Sequence, residues 1–211
     1  MLEKLPDAIG HALRNRRAGL ENIAFNLIDL RAGTAAIEVS SLAFNDHAPI
    51  PEQYTADGAG TSPPLEWTGI PAGAASLLLI VEDADAPTPH PLVHAIAVDL
   101  APHDGSLPEG ALMGAEPDAV LKLGRNSYLQ ASWLPPDPPP GHGIHRYAFQ
   151  IYALGPGPVF SGTPGREAVL EALQERAIAS GCLIGTYERP DGSVKVGATE
   201  AAATRSDTAL N

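Results

Sequence analysis

The chain is predicted to be mostly β with a few helices, on three observations. Glycine and proline number 21 each among 211 residues, and both interrupt helices and set turn geometry. The longest apolar runs, Ser76–Asp83, Leu92–Leu100 and Tyr147–Leu154, have strand length and end in acid or turn residues. Only one internal stretch, between Pro164 and Gly181, carries a sustained helical stripe. One substantial core suffices for a chain of this length. Residues 1–33 are expected to be a helical extension, 34–190 the domain, and 191–211 a flexible tail.

In chain order, Leu5, Ile9 and Leu13 recur every fourth position after Pro6-Asp7. That spacing predicts a short amphipathic helix that docks on something, with a second subunit as the expected partner. From Thr34 to Phe44 the pattern is extended, and Leu42 and Phe44 break its parity at a bulge or bend. Asn45 to Trp67, with Pro49, Pro51, Asp57-Gly58, Gly60 and Ser62-Pro63-Pro64, reads mostly as loop. Ser76–Asp83 is a buried central strand that emerges at acid. In Leu92–Leu100, alternation assigns Leu92, His94, Ile96, Val98 and Leu100 to one face. The same rule puts His145, Tyr147, Phe149 and Ile151 together, with Gln150 opposite. Between these strands, Ala101 to Ile144 is a long irregular stretch with a proline-rich end, of the kind that is functional or disordered. Thr163-Pro164 marks a helix start, Leu170, Leu173, Ala177 and Ile178 its apolar stripe, and Gly181 its stop. Leu183–Tyr187 is a last short strand.

The net charge of −12 disfavours long-range attraction to nucleic acid or anionic membranes, so any anion site must be local. The single cysteine, Cys182, excludes an internal disulfide framework and fits a reducing compartment. No secretory leader or membrane-length apolar run is evident in the sequence, and a cytoplasmic location is expected.

Chemistry concentrates in three places: Glu82-Asp83-Ala84-Asp85-Ala86-Pro87, His94, and Gly141-His142-Gly143-Ile144-His145-Arg146-Tyr147. Asp83 and Asp85 stand two apart, so in a continuing strand they share a face and form a paired-carboxylate mouth. Pro87 holds Ala86 extended and ends the strand. Gly141 and Gly143 let backbone approach a ligand, and Arg146 adds a local cation. An acidic pair at a strand end also serves as a solvated turn, and a lone strand histidine as a hydrogen-bonded core residue. Imidazoles, glycine amides and a carboxylate that fixes a histidine tautomer together suit anion capture. Asp and His also ligate divalent ions, but no histidine pair sits at i, i+4 on a predicted helix, so no metal and no other cofactor is expected. No Gly-x-Ser-x-Gly elbow supplies a nucleophile.

These three segments, with Ser62-Pro63-Pro64-Leu65-Glu66-Trp67 and Gly185-Thr186-Tyr187-Glu188-Arg189, resemble the phosphatidylethanolamine-binding protein family, most closely its bacterial YbhB/YbcL, Raf kinase inhibitor-like branch. The resemblance runs from about Glu38 to Arg189. It implies a β-sandwich with a large central antiparallel sheet, a smaller sheet, a helix near the C-terminal end and an anion pocket at one sheet end. Asp83, His94 and His145 would line that pocket, with Asp85, Pro87, Gly143 and Arg146 shaping or bracing its wall. Ala84 stands where the family usually has proline and Val93 where it has an aromatic residue, so the loop and the pocket lining are expected to differ. The tail after Arg189 shows no extra gating helix. The implied function is a non-enzymatic binder of a phosphate or carboxylate group, with a protein partner and a homodimer expected. The alternative is a small hydrolase or lyase that uses Asp83 with His94 or His145 as an acid–base pair.

Overall fold

A computed structural model of the chain describes residues 7–30, 36–114 and 121–189. Leu5, the tail from 190 onward and residues 115–120 lie outside the described residues. The elements in order are α1 (Asp7–Leu13), α2 (Ala24–Leu27), β1 (Glu38–Ser40), β2 (Leu65–Thr68), β3 (Ser76–Asp83), β4 (Leu92–Leu100), β5 (Gly105–Leu107), β6 (Lys122–Leu123), β7 (His145–Leu154), α3 (Arg166–Arg176) and β8 (Ala177–Tyr187). The large sheet has the order β6-β4-β3-β7-β8 and the small one β1-β2-β5, with every strand pair antiparallel.

β3 lies at the centre because its apolar run is buried on both faces. One face carries Leu77, Leu79 and Val81, which join Phe149 and Ile151 of β7 and meet Val39, Leu65 and Trp67 of the small sheet. The other carries Leu78 and Ile80, which with Tyr152 are covered by Ala24 of α2 and by Val169 and Leu173 of α3. The short strands β2 and β5 lie within stretches whose proline and glycine content reads as loop. They form because Trp67 and Leu65 are buried in the inter-sheet core.

Two expectations are corrected by strand pairing. The common face assigned across β4 does not exist, because β4 is irregular twice against β3. Val81 pairs with Ala95 but Glu82 with Val93, and Leu79 pairs with Ala97 but Leu77 with Leu100. The residue left over at the first bulge is His94, and Asp99 near the second has φ +55°. Ile96 and Val98 consequently pack beneath the helices, whereas Ala95 and Ala97 join the inter-sheet core.

The helix stop at Gly181 is the other correction. α3 ends at Arg176, its N-cap is Gly165 without a side-chain cap, and Ala177 and Ile178 already belong to an eleven-residue strand. Pairing of β8 with β7, unbroken from Ala153 to His145 and resumed after a bulge at Leu154, outweighs the helical tendency of Ala-Ile-Ala-Ser. Gly181 is there for close approach, since a Cβ on it would stand 2.0 Å from the Ile37 carbonyl oxygen.

The N-terminal helix docks on its own chain. α1 lays Gly10 against the Pro140 carbonyl, where a Cβ would stand 1.9 Å from the oxygen. Ile9, on the expected docking stripe, is 40% exposed. Residues 18–19 then run beside the end of β3, with Ala18 N–H donating to Ala86 O and Gly19 N–H to Ala84 O, at 2.9 and 2.7 Å.

Candidate ligand-binding site

The end of β3 brings the three sequence segments together. Asp83 pairs with Leu92 of β4 on one side and Tyr147 of β7 on the other. Its side chain, with those of His94 and His145, lines a cavity of about 230 Å³. Ala86, Pro87 and Thr88 form one edge of the cavity, and Leu134, Pro135, Asp137, Pro138 and Pro139 form the opposite lip. Leu92 and Tyr128 complete walls that are mainly apolar around a few buried polar groups, the usual make-up of a small-molecule site.

His94 reaches this cavity because of the bulge in β4. Its Nδ1 lies 2.6 Å from the Leu134 carbonyl oxygen, and since a carbonyl only accepts, Nδ1 carries the proton. The other nitrogen, Nε2, is buried and has no partner among the described residues, in a residue that is 1% exposed. Burial pushes the imidazole pKa down, against the pull of the nearby Asp83 carboxylate and the Leu134 bond, so the ring is held neutral with a bare acceptor. Tyr147 stands edge-on with its ring centre 5.1 Å from that of His94, and its buried hydroxyl is also unpartnered.

His145 opens β7. Its Nδ1 lies 2.7 Å from Asp83 Oδ2, and its Nε2 2.7 Å from His142 Nδ1. His142 Nε2 in turn faces the carbonyls of Leu13 at 2.9 Å and Arg16 at 3.2 Å. Burial, then the neighbouring His145, lowers the His142 pKa.

Asp83 and Asp85 do not form a paired mouth, because β3 ends at Asp83 and the chain turns. Asp83 Oδ1 accepts from the Asp85 amide at 2.8 Å, and the two carboxylates diverge. Asp85 is fully buried and accepts from Arg146 N, Nε and Nη2 at 2.9, 2.6 and 2.7 Å and pairs with Arg17 Nη1 at 2.8 Å. Burial alone raises a carboxyl pKa. The bonds from Arg146 and then Arg17 outweigh it and hold Asp85 below the ordinary range.

Arg146 is thus spent on Asp85, and Asp85, Gly143 and Arg146 line a separate shallow depression with Arg14 and Arg17. Gly141 at φ +75° and Gly143 at φ +93° make room for His11 and Arg17 of the N-terminal segment. Of the eight residues singled out in the sequence, Asp83, Pro87, His94 and His145 line the cavity. Asp85, Gly141, Gly143 and Arg146 form the brace beside it.

The two departures from the resemblance fall away from the cavity. Val93 packs with Ile96 under the helices, on the opposite side of the sheet from the pocket. Ala84 N–H donates to the Arg146 carbonyl at 2.9 Å, a bond that a proline could not make.

Sequence reasoning missed four contributors. His142 sat inside a segment already under notice, but only the folded loop turns it onto His145. Asp137 and the proline lip lay in a stretch without periodicity. Arg189 is what holds that lip. It donates from Nη1 to the Pro138 carbonyl at 3.0 Å and from Nε to Asp57 Oδ2 at 2.8 Å, and it pairs with Asp137 at 2.7 Å.

The profile of the family described as phosphatidylethanolamine-binding protein matches residues 40–188. The chain belongs to the phosphatidylethanolamine-binding protein family. A UPF0098 protein of Mycobacterium tuberculosis is 41% identical over 152 residues, 72% of this chain and 70% of that protein. The crystal structure of CT736, a phosphatidylethanolamine-binding protein homologue from Chlamydia trachomatis, superposes with a TM-score of 0.65 at 36% identity, covering 73% of this chain and 98% of the other. That of Escherichia coli YbcL, described as a new member of the mammalian family, gives 0.67 at 26% identity, covering 74% and 99%. The family domain therefore contains the whole cavity wall, whereas residues 7–30 lie outside the matched profile. Among the described residues no helix is long and apolar enough to cross a membrane.

Proposed function

We propose that the chain is a non-enzymatic binding protein whose cavity takes a small acidic head group, a phosphate monoester or a carboxylate, together with a proton. The observation that carries this reading is the bare, buried Nε2 of His94 at the cavity wall. A buried polar atom without a partner costs about 1–3 kcal/mol, and a ligand that donates to it recovers that cost. A P–OH or COOH group does so directly, and a bare anion does so by drawing a proton onto the imidazole. The apolar lip from Leu134 to Pro139 suits the carbon skeleton behind the head group.

Two features speak against a hydrolytic nucleophile. Thr88, the aliphatic hydroxyl on the cavity wall, donates to the His90 carbonyl at 2.6 Å instead of to a base. Cys182 lies on β8 away from the wall, with its thiol pKa pushed up to about 12, chiefly by burial. A phosphate carried on a protein presents the same head group, and through it such a module acts as a regulator of phosphosignalling.

Calorimetric titration with phosphate, phosphoethanolamine and acetate at about pH 6 and pH 8 tests the reading. Saturable heat, stronger at the lower pH and lost in folded His94→Ala, supports it. Absence of heat at both values from a folded protein removes it. The acid–base enzyme remains the second reading on the strength of the 2.7 Å Asp83–His145 pair. Turnover that disappears in His145→Ala would establish it.

A further inference from the structure

We propose that His142 is a positioning residue of the cavity, tying the Asp83–His145 pair to the carbonyls of Leu13 and Arg16 and so making the N-terminal segment part of the site. The inference rests on the ligand-free geometry and holds whatever the cavity binds.

The argument is a count of protons. Carbonyl oxygens accept only, so while His142 Nε2 sits 2.9 Å from Leu13 O and 3.2 Å from Arg16 O it must carry a proton. His145 Nδ1, 2.7 Å from the Asp83 carboxylate, must carry one as well. If both rings were neutral, His142 Nδ1 and His145 Nε2 would face each other as two lone pairs at 2.7 Å, which is repulsive. The line therefore holds one more proton than two neutral imidazoles, lodged between the rings and balanced by Asp83. On His145 that proton touches Asp83 through the other nitrogen. The lowered pKa of His142, caused first by its burial, agrees with that placement.

Removal of the extra proton forces a choice. Either the lone pairs meet between the rings, or His142 turns to its other tautomer and presents a bare Nε2 to the two carbonyls, or His145 turns to its other tautomer and sets a bare Nδ1 against the Asp83 carboxylate. The first two weaken the seat of residues 13–16 directly, and the third breaks the line at Asp83, which loosens His145 beneath His142. The charged groups around His142 are His145 and Asp83 from the sheet, Arg17 donating to the His142 carbonyl at 3.1 Å from the N-terminal side, and Asp85 paired with Arg17. His11 stands against the adjacent Gly141. Arg17 also donates to Ile144 O at 2.7 Å, so both ends of the turn 142–144 are gripped by the segment that the proton controls.

Hydrogen exchange of the Arg16, Ala18 and Gly19 amides in the full chain without ligand, corrected for the intrinsic rate, tests this. These amides donate to Leu13, Ala86 and Ala84 carbonyls. Protection should fall about tenfold as rising pH removes the extra proton, the size of about one hydrogen bond, and is followed from about pH 4 to pH 9. His142→Phe should be poorly protected and flat with pH. His142→Gln, whose amide still donates to the two carbonyls, should lie above it throughout. Protection in the parent that does not change with pH, or a His142→Phe segment as well protected as the parent's, overturns the proposal. The parent's own profile is decisive even if a variant fails to fold, and calorimetric failure to bind any acid leaves it untouched.

Discussion

Replacing Asp85 by asparagine removes one charge and almost no volume from a turn where four donors converge: three from Arg146 and one from Arg17. Breaking a buried ion pair by removing one partner costs about 3–5 kcal/mol. The arginine side chains here are 36% and 31% exposed, so water takes over part of their solvation, and about 2–3 kcal/mol is the figure the geometry supports. For a chain of this size each kcal/mol moves the midpoint by about 2–4 °C, which gives a drop of about 4–12 °C. The sign of the pH dependence follows from the lowered Asp85 pKa. A depressed carboxyl contributes stability that is present above its unfolded value of about 3.9 and lost as pH falls through the folded value. Urea unfolding of the parent and Asp85→Asn should therefore differ by about 2–3 kcal/mol at pH 7, with the gap closing as pH is taken below about 4. A gap below about 0.5 kcal/mol at pH 7, or one that persists unchanged in acid, would refute the view of Asp85 as a charge-paired brace.

Gly181→Ala should destabilise by about 1–3 kcal/mol, because the new Cβ must displace the Ile37 carbonyl; a neutral result in chemical denaturation would show that β1 yields freely. His94 has a lowered pKa and contributes stability that is complete above its unfolded value of about 6.5 and lost as pH falls through the folded one. In the same window His94→Asn should show a flatter stability profile than the parent, and identical profiles by thermal denaturation would contradict a buried neutral ring. Cys182 is half-buried with its thiol raised to about 12, chiefly by burial, and should react with a thiol reagent at pH 8 far more slowly than a free cysteine; labelling at the rate of free cysteine would contradict the raised thiol.

How much was legible depends on how far each residue's role is local. The central strand could be read because Leu77 to Val81 are buried on both faces, so no register had to be guessed. β7 could be read because its alternation is unbroken, so that His145, which lines the cavity, and Tyr147, whose ring packs against His94 and His145, share one side of the strand. β4 looked just as regular, yet its two irregularities are created by pairing with β3 and leave no mark in its own alternation. His94 was thus found for an incomplete reason: it lines the cavity as the extra residue of a bulge. Asp83 and Asp85 show the same limit, since spacing of two implies a shared face only while the strand continues. The Arg189 clasp joins positions 51 and 132 residues apart in sequence, a separation no local pattern encodes.

That clasp sets an order of assembly during synthesis. The lip from Leu134 to Pro139 is complete as a polypeptide some fifty residues before the arginine that fastens it, and Asp57 waits still longer for the same side chain. A ribosome-bound chain stopped short of position 189 would hold the cavity's histidines and aspartate but an unfastened rim. The walls come early, and the site takes its final outline only when the last strand has been made.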